Sequence, residues 1–455
     1  MTDLELVTSL IEKARAAQQI FETYSQEDVD KAVRAIGKII YDNGDDLAKM
    51  AVEETRMGDY PSKIVKNQAK AKVVWYRMKG VKSRGIIERD EANGIIKVAK
   101  PIGVIGCIPP TTNPTMTPMH NAMCALKGGN ALIVSPHPRA KKTSTRTCEL
   151  MRDALAAVGA PMDLIQVIPE PTIELSVLIM KMCDATIATG GPGMVKAAYS
   201  SGKPSFGVGA GNVQTLVDVD ANLAEIAPMI ARSRTYDNGV LCTCEQCIHV
   251  QKEQLDDMVN AMEEQGAFYI SKKEDVDALR KALFPTGAIN KDCVGASPAF
   301  IAGLAGIEVP ADTKLLMVRI ESFGAEELLA KEKLCPVICI APYETFADAV
   351  AHAKINLVLE GAGHSAVVHS HTTEHIELAG EELPVSRLGV NMVGSSGLGG
   401  GLDNGLMPTA TLGCGTWGNN SISENLWWTH LVNIARIAYR NPDVKIPTDE
   451  EIWAE

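Results

Sequence analysis

The chain carries no basic block and no positive net charge: 44 Lys and Arg stand against 56 Asp and Glu, a formal charge of −12. Nucleic acid and anionic membrane both recruit clustered Lys and Arg to displace counterions, so neither is an expected main partner. No apolar run approaches the roughly 18–20 residues of a membrane span. The start, Met-Thr-Asp-Leu-Glu-Leu, lacks the basic residues and apolar stretch of a secretion signal. A cytoplasmic protein is expected. There is no internal repeat, no low-complexity tail and no disulfide framework. The eleven cysteines are odd in number and scattered through apolar runs, as in a reducing compartment. Most should be small buried hydrophobes, so a reactive one has to be identified from its neighbours.

What the sequence does contain is the alternation of an α/β protein. At about 100–200 residues per domain, a chain this long suggests two or three domains. The opening segment reads as helical. Its clearest helix follows Ser25-Gln26-Glu27-Asp28, an acidic variant of the capping box, with Val29, Val33, Ile36 and Ile40 on one stripe. From about Gly94, β-branched runs at 102–108, 131–134, 164–168, 185–188 and 213–219 alternate with helical stretches, the pattern of a helix-covered parallel sheet. A second set at 246–250, 315–320, 336–340 and 366–369 suggests another α/β domain beginning near Tyr236. Residues 393–406 are glycine-rich, expected to be irregular and to let backbone approach a ligand.

Three motifs carry chemistry. Asp237-Asn-Gly-Val-Leu-Cys242-Thr-Cys244-Glu-Gln-Cys247-Ile-His249 packs three cysteines and a histidine together. It offers four soft ligands to zinc, but such sites usually come as two spaced pairs. The competing reading needs one thiol on a loop, where backbone N–H groups lower its pKa and receive an oxyanion. Cys242, behind Asn238-Gly239, is favoured. Next, Gly106-Cys-Ile-Pro-Pro-Thr-Thr-Asn113-Pro114 ends a strand in an amide that could donate to a substrate oxygen or simply cap the next helix. Third, Ala188-Thr-Gly190-Gly191-Pro-Gly193 is a strand-to-helix turn able to meet a pyrophosphate. Gly207-Val-Gly209-Ala-Gly211 is a further glycine loop. His364, framed by glycines at a strand edge, has the setting of an accessible general base, or of an ordinary solvated or core histidine.

Together these segments resemble the aldehyde dehydrogenase superfamily, in its CoA-acylating branch. The resemblance runs through Pro109–Pro114, 135–141, 188–191, 206–212, 237–242, 332–336, 363–364 and the Leu412-Gly-Cys-Gly-Thr-Trp-Gly418 segment. It implies a Rossmann-type cofactor domain over 1–235 and an α/β catalytic domain over 236–419. Residues 420–455 would pack back or join an oligomerisation arm, making a homodimer or homotetramer. It further implies Cys242 as nucleophile, Asn113 with the Cys242 N–H as oxyanion hole, and His364 as proton acceptor. Thr112, Ser135, His137, Pro138, Gly190, Gly191, Gly209 and Glu332 are the implied cofactor contacts, with NAD or NADP as cofactor and coenzyme A as co-substrate. Hydrolytic members carry a glutamate base in the segment that here reads Phe206-Gly-Val-Gly-Ala-Gly-Asn212. Without it the thioester should outlast water and pass to CoA. Arg234, with Ser395 and Ser396, is expected to bind the anionic end of succinate semialdehyde or sulfoacetaldehyde. Acetaldehyde or propionaldehyde, or a hydrolytic reaction, are the alternatives.

Overall fold

In the computed structural model, which describes residues 2–455 except the Pro192 side chain, four helices open the chain: Asp3–Phe21, Gln26–Asp42, Gly44–Thr55 and Tyr60–Met78. Ser25 caps the second. Its Oγ accepts the Asp28 N–H at 3.1 Å and donates to Asp28 Oδ2 at 2.7 Å. Val29, Val33, Ile36 and Ile40 are fully buried, so the apolar stripe faces the core as its spacing requires.

A hairpin follows, β1 (Gly85–Asp90) against β2 (Ile95–Pro101). Then come β3 (Val104–Ile108), β4 (Ala131–Val134), β5 (Ile165–Val167), β6 (Ala185–Thr189) and β7 (Ser205–Val208). These five form a parallel sheet in the order β5-β4-β3-β6-β7. Every residue of β3 and β4 is buried, the state of a strand covered on both faces. The winding reverses between β3 and β6, and such a switch point opens a crevice at the strands' C-terminal ends. The loop after β3 carries Asn113 there, and the turn after β6 carries Gly190 and Gly191.

The second sheet is also parallel. It contains β8 (Val213–Val217), β9 (Glu245–Gln251), β10 (Ala267–Ile270), β11 (Leu315–Arg319), β12 (Val337–Tyr343), β13 (Gly363–His369) and β14 (Val385–Val390), in the order β10-β11-β12-β9-β8-β13-β14. Finally β15 (Val432–Ala438) pairs antiparallel with β2, completing a three-stranded sheet with the hairpin. Trp427 and Trp428, just before it, are buried in the core of the first domain. The 420–455 segment therefore both packs back and extends the small sheet.

The domain boundary falls earlier than 235/236. β8 pairs with β9 and β13, and Ile226 and Ile230 of the Leu223–Thr235 helix lie in a core beneath the second sheet. A fully buried parallel strand looks the same in either sheet, and only its pairing partners decide. Among the described residues, no helix is long and apolar enough to cross a membrane.

Candidate active site

The second sheet presents its N-terminal edge to the site: the loops before β8, β9, β12 and β13 hold Gly211, Cys242, Glu332 and Gly361–Gly363. Cys242 follows a tight turn, Tyr236–Gly239, in which Asp237 and Asn238 take φ of +52° and +50°. Such angles are costly for residues with a Cβ, and both side chains anchor the turn. Asn238 Nδ2 donates to Gly295 O at 3.0 Å, and Asp237 Oδ1 accepts the Asp59 N–H at 3.0 Å. Cys242 is the one half-buried cysteine; the other ten are buried. Burial pushes its thiol up, Glu332 adds to that, and Arg387 pulls it down.

The 206–212 segment packs directly on this nucleophile. A side-chain carbon at Gly211 would run into the Cys242 carbonyl oxygen and come within 2.9 Å of Cys242 Cβ, so only glycine fits. Gly211 N–H donates to Glu332 Oε1 at 2.9 Å, and Glu332 N–H donates to Glu360 Oε2 at 2.8 Å. Burial, then the neighbouring Glu360 charge, raises the Glu332 carboxyl to about 8. Cys247 lies in the second domain's core, and His249 Nε2 is 3.0 Å from Gln214 Oε1. Among the described residues, no three His, Cys, Asp or Glu side chains come together as metal ligands.

Asn113 does not cap the next helix. Thr115 is the N-cap of Met116–Lys127, without a side-chain cap bond, while Asn113 Oδ1 accepts from Lys66 Nζ at 2.7 Å. Lys66 also meets Asp237 Oδ2, so one ammonium joins the loop after β3 to the turn before Cys242. Thr112 stands beside them, its Oγ1 3.4 Å from Asn113 Nδ2.

Two expectations are corrected. Arg234 is fully buried, with Nη1 donating to Glu245 O at 3.2 Å and Nη2 to Cys335 O. It braces two backbone segments and is not a fork open to a substrate anion. His364 is not an accessible base: it lies inside β13, fully buried, with neither ring nitrogen hydrogen-bonded within the protein. Burial, then the Arg387 charge, lowers it to about 3, so it stays neutral at physiological pH. Ser395 is half-buried and close to the nucleophile's flank, its carbonyl accepting from Thr243 Oγ1 at 3.3 Å. Ser396 is exposed. Their segment, expected to be irregular, holds one helical turn, Gly394–Gly397, whose first N–H donates to Glu245 Oε1 at 2.8 Å.

Sequence reading missed three groups. Arg387 is buried, with Nη2 on His364 O at 2.7 Å and Gly413 O at 2.8 Å, and Nε on Ser365 Oγ at 3.1 Å. Cys414 lines the cleft, and it and Arg387 act on the Cys242 thiol in opposite directions, Cys414 raising it and Arg387 lowering it. The Tyr60–Met78 helix turns Lys63, Lys66 and Lys70 inward at i, i+3 and i+7. That spacing on a polar-looking helix was the available signal.

A cleft of about 710 Å³ opens beside these residues, lined by Tyr199, Gly209, Glu360, Cys414 and Trp417 among others. Of the implied cofactor contacts, Gly209 lines it, and the others lie outside its walls. The Pro192–Tyr199 helix starts at Gly191 without a side-chain cap, and side-chain carbons built at Gly191 and Gly209 would meet nothing within 4 Å. Such an open helix start suits a pyrophosphate. Gly190 flanks it. Further along, Ser135 Oγ lies 2.9 Å from Ser176 Oγ, and His137 Nδ1 accepts the Arg139 N–H at 3.1 Å across the turn begun by Pro138.

A glycine-bearing crevice at one sheet's switch point and a half-buried cysteine at the other sheet's edge are the layout of a nucleotide-dependent oxidoreductase. The chain belongs to the aldehyde dehydrogenase family, whose profile matches residues 2–275. It is 47% identical to a succinate-semialdehyde dehydrogenase (acetylating) of Clostridium kluyveri, covering 98% of both chains. It is 39% identical to a sulfoacetaldehyde dehydrogenase (acylating) of Bilophila wadsworthia, over 99% of this chain and 98% of that one. An acetylating aldehyde dehydrogenase from Geobacillus thermoglucosidasius has the same fold, with TM-score 0.94, 37% identity and 98% coverage of both chains.

Proposed function

We propose that this protein is an NAD- or NADP-dependent, CoA-acylating dehydrogenase that interconverts a short anionic aldehyde, succinate semialdehyde or sulfoacetaldehyde, and its acyl-CoA. The observation that carries the acylating part is Gly211. The segment that supplies a glutamate base in hydrolytic members by resemblance meets Cys242 here with a glycine, and 206–212 holds no carboxylate. The names of the two relatives support the aldehyde class.

Cys242 thiolate adds to the aldehyde carbon, and the charge that develops on oxygen is received by Asn113 Nδ2 and the Cys242 N–H. Gly190, Gly191, Gly209, Glu332, Ser135, His137, Pro138 and Thr112 hold the nucleotide, whose nicotinamide supplies the hydride acceptor when bound. The acyl group then sits on Cys242 as a thioester. The CoA thiol attacks it through the cleft, and Cys242 leaves as thiolate. For the CoA proton, the ionised form of Glu332, which holds the N–H of Gly211 packed on Cys242 at 2.9 Å, is the acceptor, most available above about pH 8; His364, lowered to about 3 by burial, is too weak a base. For the substrate's anionic end, the candidates are Ser395 and Lys70, the latter seated on the glycine-rich loop through Gly399 O at 3.0 Å.

Cofactor reduction tests the reading, with NAD⁺ and NADP⁺ separately and with acetaldehyde, succinate semialdehyde and sulfoacetaldehyde, each with and without CoA. Sustained turnover is expected only with CoA and best with an anionic aldehyde, and Cys242→Ala abolishes it. Equal turnover without CoA would overturn the acylating assignment. Lys70→Met is expected to erode the preference for anionic over neutral aldehydes.

A further inference from the structure

The tightest buried charge cluster in the described residues is not at the thiol but behind the amide. Lys63 and Lys66, 3% and 6% exposed, converge on the carboxylate of Asp237, which is fully buried. Lys63 Nζ is 3.0 Å from Asp237 Oδ2, and Lys66 Nζ binds the same oxygen. Asp237 Oδ1 is held by the Asp59 N–H at 3.0 Å. Gly58 (φ +76°) makes room, since a side-chain carbon there would strike that carboxylate. Two ammonium groups thus share one carboxylate, and the other oxygens facing Lys66 are Asn113 Oδ1 at 2.7 Å and Thr112 O at 3.5 Å.

An ammonium can only donate, so it accepts one orientation of the Asn113 amide and repels the other. A 180° turn of the side chain would set NH₂ against NH₃⁺ inside a site shielded from water. With Oδ1 pinned, Nδ2 is turned the opposite way, where its best protein acceptor is Thr112 Oγ1 at a weak 3.4 Å. A cation on the amide oxygen also draws electron density from the nitrogen, making its N–H the stronger donor. We propose that Lys66, itself seated by Asp237 and Lys63, is a positioning residue that selects the donor face of Asn113 for the oxyanion. The same bridge keeps that donor in register with Cys242, five residues beyond Asp237. This rests on the reading of Asn113 as the oxyanion donor.

The test is a double-mutant cycle on the full-length enzyme with Lys66→Met, Asn113→Ala and the pair. Steady-state kcat and KM are measured for the preferred aldehyde, and the iodoacetamide rate at Cys242 is measured without nucleotide. Asn113→Ala should lower kcat about 10²–10³-fold, as loss of one oxyanion donor does. Lys66→Met should lower kcat at least tenfold with KM within about twofold, and the double variant should be no slower than Asn113→Ala alone. Cys242 alkylation should match wild type in all three. Lys66→Arg, which keeps a donor, should recover part of the loss. If the two substitutions multiply, Lys66 acts independently of the amide and the inference is wrong. If Asn113→Ala leaves kcat intact, the oxyanion reading itself fails and takes the inference with it. If Lys66→Met does not fold, Asn113→Asp decides. A carboxylate paired with Lys66 should hold or raise the melting temperature while abolishing turnover; a fall in melting temperature would show that Lys66 does not address this side chain.

Discussion

Cys242 sits between two opposing charges. Burial and Glu332 disfavour its thiolate, and Arg387 favours it. Removing the cation should therefore raise the thiol pKa, and removing the carboxylate should lower it. We expect Arg387→Met to slow iodoacetamide alkylation of the nucleotide-free enzyme at pH 8. Glu332→Gln should accelerate it, most clearly above about pH 8, where Glu332 is ionised. Changes of the same sign in both variants would contradict this balance. Cys242 and Asn113 stand out in the sequence as candidates because one follows an Asn-Gly turn ahead of a strand-like run and the other ends such a run in a proline turn. Arg387 and Cys414 could not. Their importance comes from folding back onto β13 and the cleft, and nothing local marks an arginine in Val-Ser-Arg-Leu or a cysteine between glycines as lying beside a distant thiol. Arg234 shows the converse error. Eight residues before the nucleophile suggested proximity to substrate, but a helix end turned it onto the carbonyls of Glu245 and Cys335.

At the scale of elements, that arginine is a joint between the Leu223–Thr235 helix, the start of β9 and the approach to β12. Arg234→Met should remove the side-chain donor from two buried carbonyls, of which Cys335 O keeps the Val337 N–H at 2.7 Å, and cost about 1–3 kcal/mol of stability, seen as a lower midpoint in urea. The same variant should leave the ratio of anionic to neutral aldehyde turnover unchanged; a switched preference would restore Arg234 to the substrate site. Strands with unbroken apolar runs were legible: β4 matches its expected span of 131–134, and β3, β6, β9 and β11 fall within a few residues of theirs. β7 and β14 were not read, because glycine in Ser-Phe-Gly-Val and polar residues in Val-Ser-Arg-Leu-Gly-Val interrupt the pattern, and β10, Ala-Phe-Tyr-Ile, was missed as only four residues long. Capping chemistry located the second helix, whose Ser25 carries its cap bond, but misled at Asn113, whose side chain goes to Lys66.

For the whole molecule, pH acts through groups buried out of their usual state. Burial holds His120 and His369 at about 4 and His249 and His364 at about 3. Unfolding returns them to ordinary values, so the unfolded chain binds more protons and stability falls as pH drops from about 6.5 toward 4. Glu332 and Glu245, raised by burial to about 8 and 7, act in the other direction, and stability falls as pH rises from about 4.5 to 8. Four groups outweigh two on the acid side, and of these six only the carboxyls act above about pH 6.5, until Lys63 and Lys70, each lowered by burial to about 8, add stability again as pH rises from about 8 toward 10.5. These six groups place the maximum melting temperature near pH 6.5 by calorimetry; a maximum below about pH 5 would contradict the balance. The sheet of β1, β2 and β15 leaves Ile437 and Tyr439 exposed, and we propose it as the arm of a homodimer or homotetramer, to be checked by light scattering. By itself, the sequence determined the α/β alternation and the family, and it put Cys242 forward as the candidate nucleophile, because those rest on local periodicity, turn chemistry and short motifs. Tertiary structure alone decided which sheet β8 joins, that Arg234 and His364 are sealed inside, and that Lys66 meets Asn113. Each of these depends on which distant segments pack together, and that packing sets both burial and the partners left for every charged group.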